Sequence, residues 1–106
     1  MLKLILCGNV GNDATVKETG NGKVVNFNVA VSKNYKNSKG EKVEKTEWIR
    51  AAIWRGKDSD IKFAEYIKKG KKILIEGEPH SSGYQNKDGE VQSGLEVTVK
   101  EFEFLN

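Results

Sequence analysis

Apolar and polar residues alternate along much of the first half of the chain. Between residues 24 and 32, apolar side chains at positions 25, 27, 29 and 31 alternate with polar side chains at 26, 28 and 32. A period of two is typical of a β-strand that buries one face and exposes the other. Shorter or weaker versions of the pattern predict further strands at residues 2–8, 14–18 and 44–54.

One segment has helical spacing instead. Asp58 or Ser59 can cap its start, and Gly70 follows its end as a stop. We therefore predict one short α-helix of about three turns at residues 58–69. Capping is a better-supported role for Asp58 and Asp60 at this position than metal binding. The apolar stripe of the helix is formed by Ile61, Phe63, Ala64 and Ile67.

The second half of the chain returns to strand patterns. Residues 71–78 are predicted to form a strand that ends at Pro79, and residues 84–90 a hairpin with Asp88 and Gly89 at its turn. A change from odd to even apolar positions near Glu101 predicts a bulge or kink. Residues 14–18 continue the first strand after a break at residues 11–13. The resulting order of three strands, a helix and two strands predicts an all-β, five-stranded Greek-key barrel of the OB-fold type with long protruding hairpins.

Length and composition indicate a single domain over residues 1–106. Charged residues make up 31% of the sequence, and no apolar run approaches the ~20 residues that a membrane helix requires. The single cysteine, Cys7, excludes an internal disulfide and is consistent with a reducing, cytoplasmic environment. We expect Cys7 to be buried or half-buried in the first strand.

Lysines are concentrated in one predicted hairpin. The net charge of +3 permits a polyanionic partner without requiring one. Between residues 33 and 45, however, every third residue is a lysine, and only Glu41 and Glu44 oppose them. With "NSKGEK" near its tip, the segment is predicted to project as a basic finger, although a solvated loop kept soluble by lysine is the alternative. Its lysines are Lys33, Lys36, Lys39, Lys42 and Lys45.

The predicted return strand contains the sequence "TEWIRAAIW", whose two faces differ. Ile49 and Ile53 suit a barrel interior. If they point inward, Trp48, Arg50 and Trp54 point outward. Taken alone, either tryptophan could equally be a core residue.

The sequence offers little for catalysis. His80 is the only histidine, so neither a histidine metal cluster nor a histidine-based triad can be assembled. No helix follows the segment from Gly8 to Gly11 to offer its N-terminus to a phosphate. We expect neither an enzyme nor a bound metal or cofactor.

Outward aromatic and basic residues suit single-stranded nucleic acid better. Tyr35 lies on the predicted basic finger and Tyr84 in the second hairpin, both among polar residues. Unpaired bases stack on aromatic rings at roughly 1–3 kcal/mol per base, with little dependence on base identity. Lysine and arginine side chains neutralise the phosphates between the bases.

The chain resembles the bacterial single-stranded DNA-binding protein family in five segments, which occur in the family's order. The segments are "LILCGNVGNDATVK", "GKVVNFNVAVSKNY", "KTEWIRAAIW", "AEYIKKGKKILIEGE" and "GYQNKDGE". The resemblance covers nearly the whole chain. It implies an OB fold, a homotetramer, and the wrapping of single-stranded DNA during replication, recombination and repair, either in the bacterial nucleoid or in a phage or mobile element.

The resemblance also implies binding residues. The family's stacking aromatics fall on Tyr35, Trp48, Trp54 and Tyr84, and Arg50 falls where a basic residue meets the DNA backbone. The lysines expected to contact phosphates are Lys33, Lys36, Lys45 and Lys57.

Some family features are missing. Ile49 stands where a histidine near the subunit interface is frequent, and residues 80–83 are less basic than the family pattern. The sequence ends at Asn106, before the acidic C-terminal tail by which the family recruits other proteins. Either the tail has been removed or this is a compact form of the kind that phages and mobile elements encode, and tail-mediated partners are not expected from this chain. Two alternatives remain open: a dimeric OB-fold adaptor of replication restart and a protein-interaction module. A barrel nuclease would need clustered carboxylates and is disfavoured.

Overall fold

Strands dominate the computed structural model, which describes residues 1–85, 87–89 and 91–106 and, for residues 82, 84, 85 and 91–93, the backbone alone. Apart from one 3₁₀ helix at Lys62–Tyr66, the described regular elements are all strands. They are β1 (Leu4–Val10), β2 (Thr15–Thr19), β3 (Gly22–Ser32), β4 (Tyr35–Lys36), β5 (Lys42–Val43), β6 (Thr46–Gly56), β7 (Lys72–Gln85) and β8 (Val91–Phe104).

Six of these strands form one sheet in the order β1-β7-β8-β6-β3-β2. β1 also pairs with β3 at Asn9 and Val10, so the pairings run in a ring through β1, β7, β8, β6 and β3. β6 and β8 run parallel, whereas the other paired strands are antiparallel. This arrangement confirms the predicted all-β OB fold, with β6 held between β3 and β8.

The core lies on the inner side of this ring and consists of aliphatic side chains. Ile53 of β6 and Ile73 and Ile75 of β7 are completely buried, and each occupies an inward-facing position of its strand. Burial of such a side chain contributes roughly 1.5–3 kcal/mol relative to leaving it exposed. Ile67, which follows the 3₁₀ helix, is also completely buried and packs into the same cluster. The inward face of each central strand is therefore fixed by burial.

The predicted α-helix at residues 58–69 is wrong in type and length, because only Lys62–Tyr66 is helical and its form is 3₁₀. Only Ala64 and Ile67 of this region are buried, with Phe63 partly buried against the core, and the spacing of three between Ala64 and Ile67 matches the 3₁₀ repeat. Asp60 nevertheless acts at the helix start, since its carboxylate accepts the backbone N–H of Lys62 at 2.9 Å. Among the described residues, no helix has the length and apolar character needed to cross a membrane.

The predicted strand end at Pro79 is also wrong, because β7 continues through Pro79 to Gln85. Pro79 pairs with Val97 of β8. On the other side of β7, pairing with β1 stops at Gly77, which faces Leu4. A proline lacks only the N–H donor, and at this point β1 offers no acceptor for one.

The bulge predicted near Glu101 is confirmed. Glu76 faces Glu101, but Gly77 faces Val99, so Lys100 is an extra residue in β8. Beside the bulge, Lys3 and Glu76 form an ion pair with Nζ–Oε1 of 2.6 Å. This hydrogen bond lowers the pKa of Glu76 and raises the pKa of Lys3.

Cys7 is exposed, contrary to the expected burial. In β1 the even residues Leu6 and Val10 are buried, so the odd position of Cys7 faces outward. Residues 4–7 are all apolar, so the sequence alone does not show which positions of β1 face the core.

We predict that Gly77→Ala destabilises the fold by about 1–3 kcal/mol, because an added methyl group would overlap the backbone carbonyl of Thr98. Gly83→Ala in the same strand is the matched control, since nothing lies within 4 Å of a methyl group there. Urea unfolding of both variants measures the difference. Equal free energies of unfolding would contradict the close strand contact at Gly77.

Candidate nucleic-acid interface

The basic segment between β3 and β6 is a hairpin, as predicted. Its base closes with a hydrogen bond from the Lys33 N–H to the Lys45 carbonyl at 2.7 Å. Asn37 shapes the tip, where its side-chain oxygen accepts the backbone N–H groups of Lys39 at 2.9 Å and Glu41 at 3.0 Å. Gly40 adopts a φ of 77°, a value that favours glycine. The residues of this finger, 33–45, therefore hold their cations on a defined hairpin.

The finger presents one of the predicted aromatic residues. Tyr35 is 53% exposed and pairs with Val43 across the hairpin. Lys36 faces Lys42 in the next pair, so two cations lie side by side. Lys33 makes a looser ion pair with Glu47, with Nζ–Oε1 of 3.7 Å.

The parity predicted for the return strand is confirmed in β6. Ile49 and Ile53 are buried, whereas Trp48 is 59% exposed and Trp54 is 52% exposed. Ile49, which stands where the family frequently has a histidine near the subunit interface, is therefore a core residue here. Arg50 lies between the two tryptophans on the outer face and is itself exposed.

The strands beside β6 convert this outer face into a groove. Arg50 is opposite Asn28 of β3 and opposite Glu96 of β8. The guanidinium Nη2 of Arg50 lies 3.0 Å from Oε1 of Glu96. Trp48, Arg50 and Asn28 line a cavity of about 390 Å³. It shares Arg50 and Asn28 with a cavity of about 470 Å³ that Trp54 also lines. The other polar residues that line the larger cavity are Asn12, Thr15, Asn26, Glu96 and Thr98.

The loop after β1 supports the other end of the groove. A methyl group added at Gly11 would overlap the Trp48 ring, so the ring lies directly over the Gly11 backbone. Gly11 donates its N–H to the carbonyl of Asn28 at 2.8 Å. The side-chain oxygen of Asn12 accepts the N–H of Asn28, also at 2.8 Å. These contacts fix the position of the loop, and therefore of the Gly11 backbone on which the Trp48 ring packs.

The amide and carboxylate side chains of the groove are not among the residues identified from the sequence. Asn26 and Asn28 could have been found, because they share the outward parity of the strand at 24–32. Glu96 also alternates with the apolar Val97 and Val99, but its place beside Arg50 depends on the long-range pairing of β6 with β8. Asn12 carries no such local signal, since it lies in the loop after β1 and accepts the N–H of Asn28 there.

The predicted cations lie at both ends of β6. Lys33 and Lys45 flank the end near Trp48, where the finger joins the sheet. Lys57 follows Gly56 at the end near Trp54 and is exposed. The predicted aromatic at Tyr84 falls within β7, but its side chain lies outside the described part of the structure.

His80 is exposed and hydrogen-bonds through Nε2 to the Thr98 hydroxyl at 2.9 Å. Within the part of the chain that the structure describes, no three His, Cys, Asp or Glu residues come together in a group that could hold a metal ion. The groove therefore combines exposed aromatic rings, amide side chains, an ion pair and nearby cations, and such groups are suited to binding a ligand.

Comparison with known proteins gives consistent results. The sequence model of the Single-strand binding protein family matches residues 1–105. A single-stranded DNA-binding protein 1 of Chlorobaculum tepidum is 38% identical over 97% of this chain and 64% of its own length. A single-stranded DNA-binding protein of Neisseria meningitidis is 36% identical over 97% of this chain and 59% of its own length. The chain thus spans less than two thirds of the length of these relatives.

Solved structures support the fold independently of close sequence identity. A Plasmodium falciparum SSB in complex with single-stranded DNA superimposes with a TM-score of 0.80 at 23% identity, covering 100% of this chain and 96% of that one. A small single-stranded DNA-binding protein of Streptomyces coelicolor also gives 0.80, at 14% identity, covering 97% and 93% of the two chains.

We predict that Gly11→Ala displaces the Trp48 ring while the protein stays folded, because the far edge of a side chain can move where a backbone cannot. Acrylamide quenching of Trp48 emission, measured in a Trp54→Phe background, should increase. Gly20→Ala is the control, since nothing lies within 4 Å of a methyl group there. Unchanged quenching in the Gly11 variant would show that the ring does not rest on this glycine.

Proposed function

The chain belongs to the Single-strand binding protein family, and from this membership we propose that it binds single-stranded DNA largely without sequence preference. The observation that carries the proposal is the pair of half-exposed tryptophans, Trp48 and Trp54, on one outward face with Arg50 between them. Large apolar side chains exposed together on one face mark binding surfaces.

The proposed contacts follow from the spacing of these residues. Trp48 and Trp54 are six residues apart on one strand, which at 3.3 Å per residue separates them by about 20 Å. Such a distance accommodates several nucleotides, and OB folds have site sizes of roughly 4–16 nucleotides. Bases stack on the two rings, and Tyr35 on the finger extends the aromatic track. Tyr84 is a further stacking residue by its position in the family pattern.

Cations around the groove bind the phosphates. Arg50 binds a phosphate between the two tryptophans, while the lysines bind phosphates nearer the ends of β6 and on the finger. Because the phosphate contacts release counterions from DNA, affinity should fall as salt rises. The lysines proposed for this role are Lys33, Lys36, Lys45 and Lys57, and each is exposed.

The proposed biological role is protection of single-stranded DNA during replication, recombination and repair, in the cytoplasm or nucleoid. No catalytic step is part of it, because the family is one of non-enzymatic DNA-binding proteins. Assembly into a homotetramer is also part of the proposal. In its support, the large apolar side chains of Ile5 and Leu95 are exposed, and a second copy could cover them.

We predict that Trp48→Ala and Trp54→Ala each weaken oligo-dT binding by about 1–3 kcal/mol, or roughly 5- to 150-fold, through the loss of base stacking. Anisotropy of labelled oligo-dT measures the affinity without relying on the tryptophans. Tyr66→Ala removes an aromatic that is 64% exposed on the 3₁₀ helix, away from the groove, and should have little effect. Absence of binding by the unaltered protein at low salt would refute the proposed function.

We predict that native mass spectrometry finds four copies of the 11.8 kDa chain, and that Ile5→Lys shifts the population toward smaller species. A charge at an apolar interface between copies is costly to bury. Val16→Lys places the same charge on exposed β2 and should leave the assembly intact. A monomer or dimer in the unaltered protein would contradict the tetramer while leaving DNA binding open to the preceding test.

A further inference from the structure

A carboxylate lines the groove proposed for a polyanion. Glu96 lines the cavity and faces Arg50 in the parallel pairing of β6 and β8. Its Oε1 atom lies 3.0 Å from Nη2 of Arg50. A phosphate that approached this guanidinium would therefore come close to a like charge.

The charges on the outer face are unevenly divided on the two sides of β6. On the β3 side, the residues next to Arg50 and Ala52 are the neutral amides Asn28 and Asn26. On the other side, Glu96 of β8 and the exposed Glu78 of β7 carry negative charge. Glu96 thus stands at the boundary between a neutral half and an acidic half of the face.

The ion pair is placed so that a phosphate can compete for it. The side chains of Arg50 and Glu96 are 56% and 39% exposed, so water screens their attraction. Exposed ion pairs of this kind contribute little to stability. A guanidinium has five N–H donors and forms strong charge-assisted bonds to phosphate oxygens. DNA can therefore draw Arg50 away from Glu96 at modest cost.

We propose that Glu96 is an internal competitor for the phosphate that binds at Arg50. In the empty groove, the carboxylate neutralises the guanidinium. When DNA binds, a phosphate takes its place, and Glu96 must be left beside the DNA without this partner. Glu96 thereby lowers the affinity and speeds release, which makes bound DNA easier to redistribute. This inference rests on the proposed function.

The opposite role would be a positioning one, in which Glu96 holds Arg50 in the geometry that a phosphate requires. The two roles predict opposite signs. Removal of a competitor strengthens binding, whereas removal of a positioning residue weakens it. The structure favours competition, because the carboxylate lines the same cavity that the DNA would occupy.

The test is the affinity for labelled oligo-dT over a series of salt concentrations, for the unaltered protein and for Glu96→Gln. The glutamine keeps the shape of the side chain and removes its charge. We expect about two- to fivefold tighter binding at low salt, the range of an exposed ion pair. The slope of log affinity against log salt should steepen by less than about 0.7, the value of one full phosphate contact on a single strand, because the contact at Arg50 is no longer offset by a displaced carboxylate.

Two controls separate competition at Arg50 from a general change of charge. Glu78→Gln removes a carboxylate from the same face without touching the ion pair, and it should strengthen binding less than Glu96→Gln. In an Arg50→Gln background, Glu96→Gln should lose its effect. Glu96→Ala should change affinity in the same direction as Glu96→Gln, and thermal unfolding checks that each variant is folded.

Each outcome decides between the ideas. If the unaltered protein does not bind oligo-dT, the proposed function fails. If it binds and Glu96→Gln binds equally or more weakly, the competitor role is overturned while the proposed function stands. An equal gain from Glu78→Gln, or a gain that persists without Arg50, also overturns it. A gain specific to Glu96 and dependent on Arg50 supports it.

Discussion

The alternation of side chains along β6 is the constraint on which the proposed binding face depends. Complete burial of Ile53 and near-complete burial of Ile49 fix the inner face of the strand. Trp48 and Trp54 must then face outward, because successive side chains point to opposite sides of a sheet. A slip of one residue would exchange the two faces and place the tryptophans in the core. The pairing of β6 with β3 along eleven residues prevents such a slip.

The neighbours of β6 decide what kind of surface the tryptophans belong to. Trp48 rests over Gly11, where any larger residue would displace the ring. Between the two rings, the face carries Arg50, with amides on one side and Glu96 on the other. Apart from Arg50, the cations proposed to contact phosphates lie at the ends of β6 and on the finger.

Local patterns were sufficient wherever local physics decides the structure. The parity of β3 and β6, the hairpin of the finger and the bulge near Glu101 all follow from side-chain period and turn residues within a few positions. The expectations that failed depended on distant partners. β7 continues through Pro79 because the pairing of β1 with β7 stops at Gly77. Cys7 is exposed because its neighbour Leu6 faces the core, and adjacent side chains of a strand point to opposite sides. The helix at 62–66 is short and 3₁₀, and the two buried residues of this region, Ala64 and Ile67, have the spacing of a 3₁₀ turn.

The sequence by itself determined the all-β class, the outward tryptophans and the basic finger, since each is written in neighbouring residues. Which residues bind DNA remains a prediction from the family pattern. Only the tertiary structure decided which groups surround Arg50, because Asn12, Asn28 and Glu96 come from three segments that the sheet register brings together. Register depends on the fit of the whole core between distant strands, and no local window of sequence contains that information.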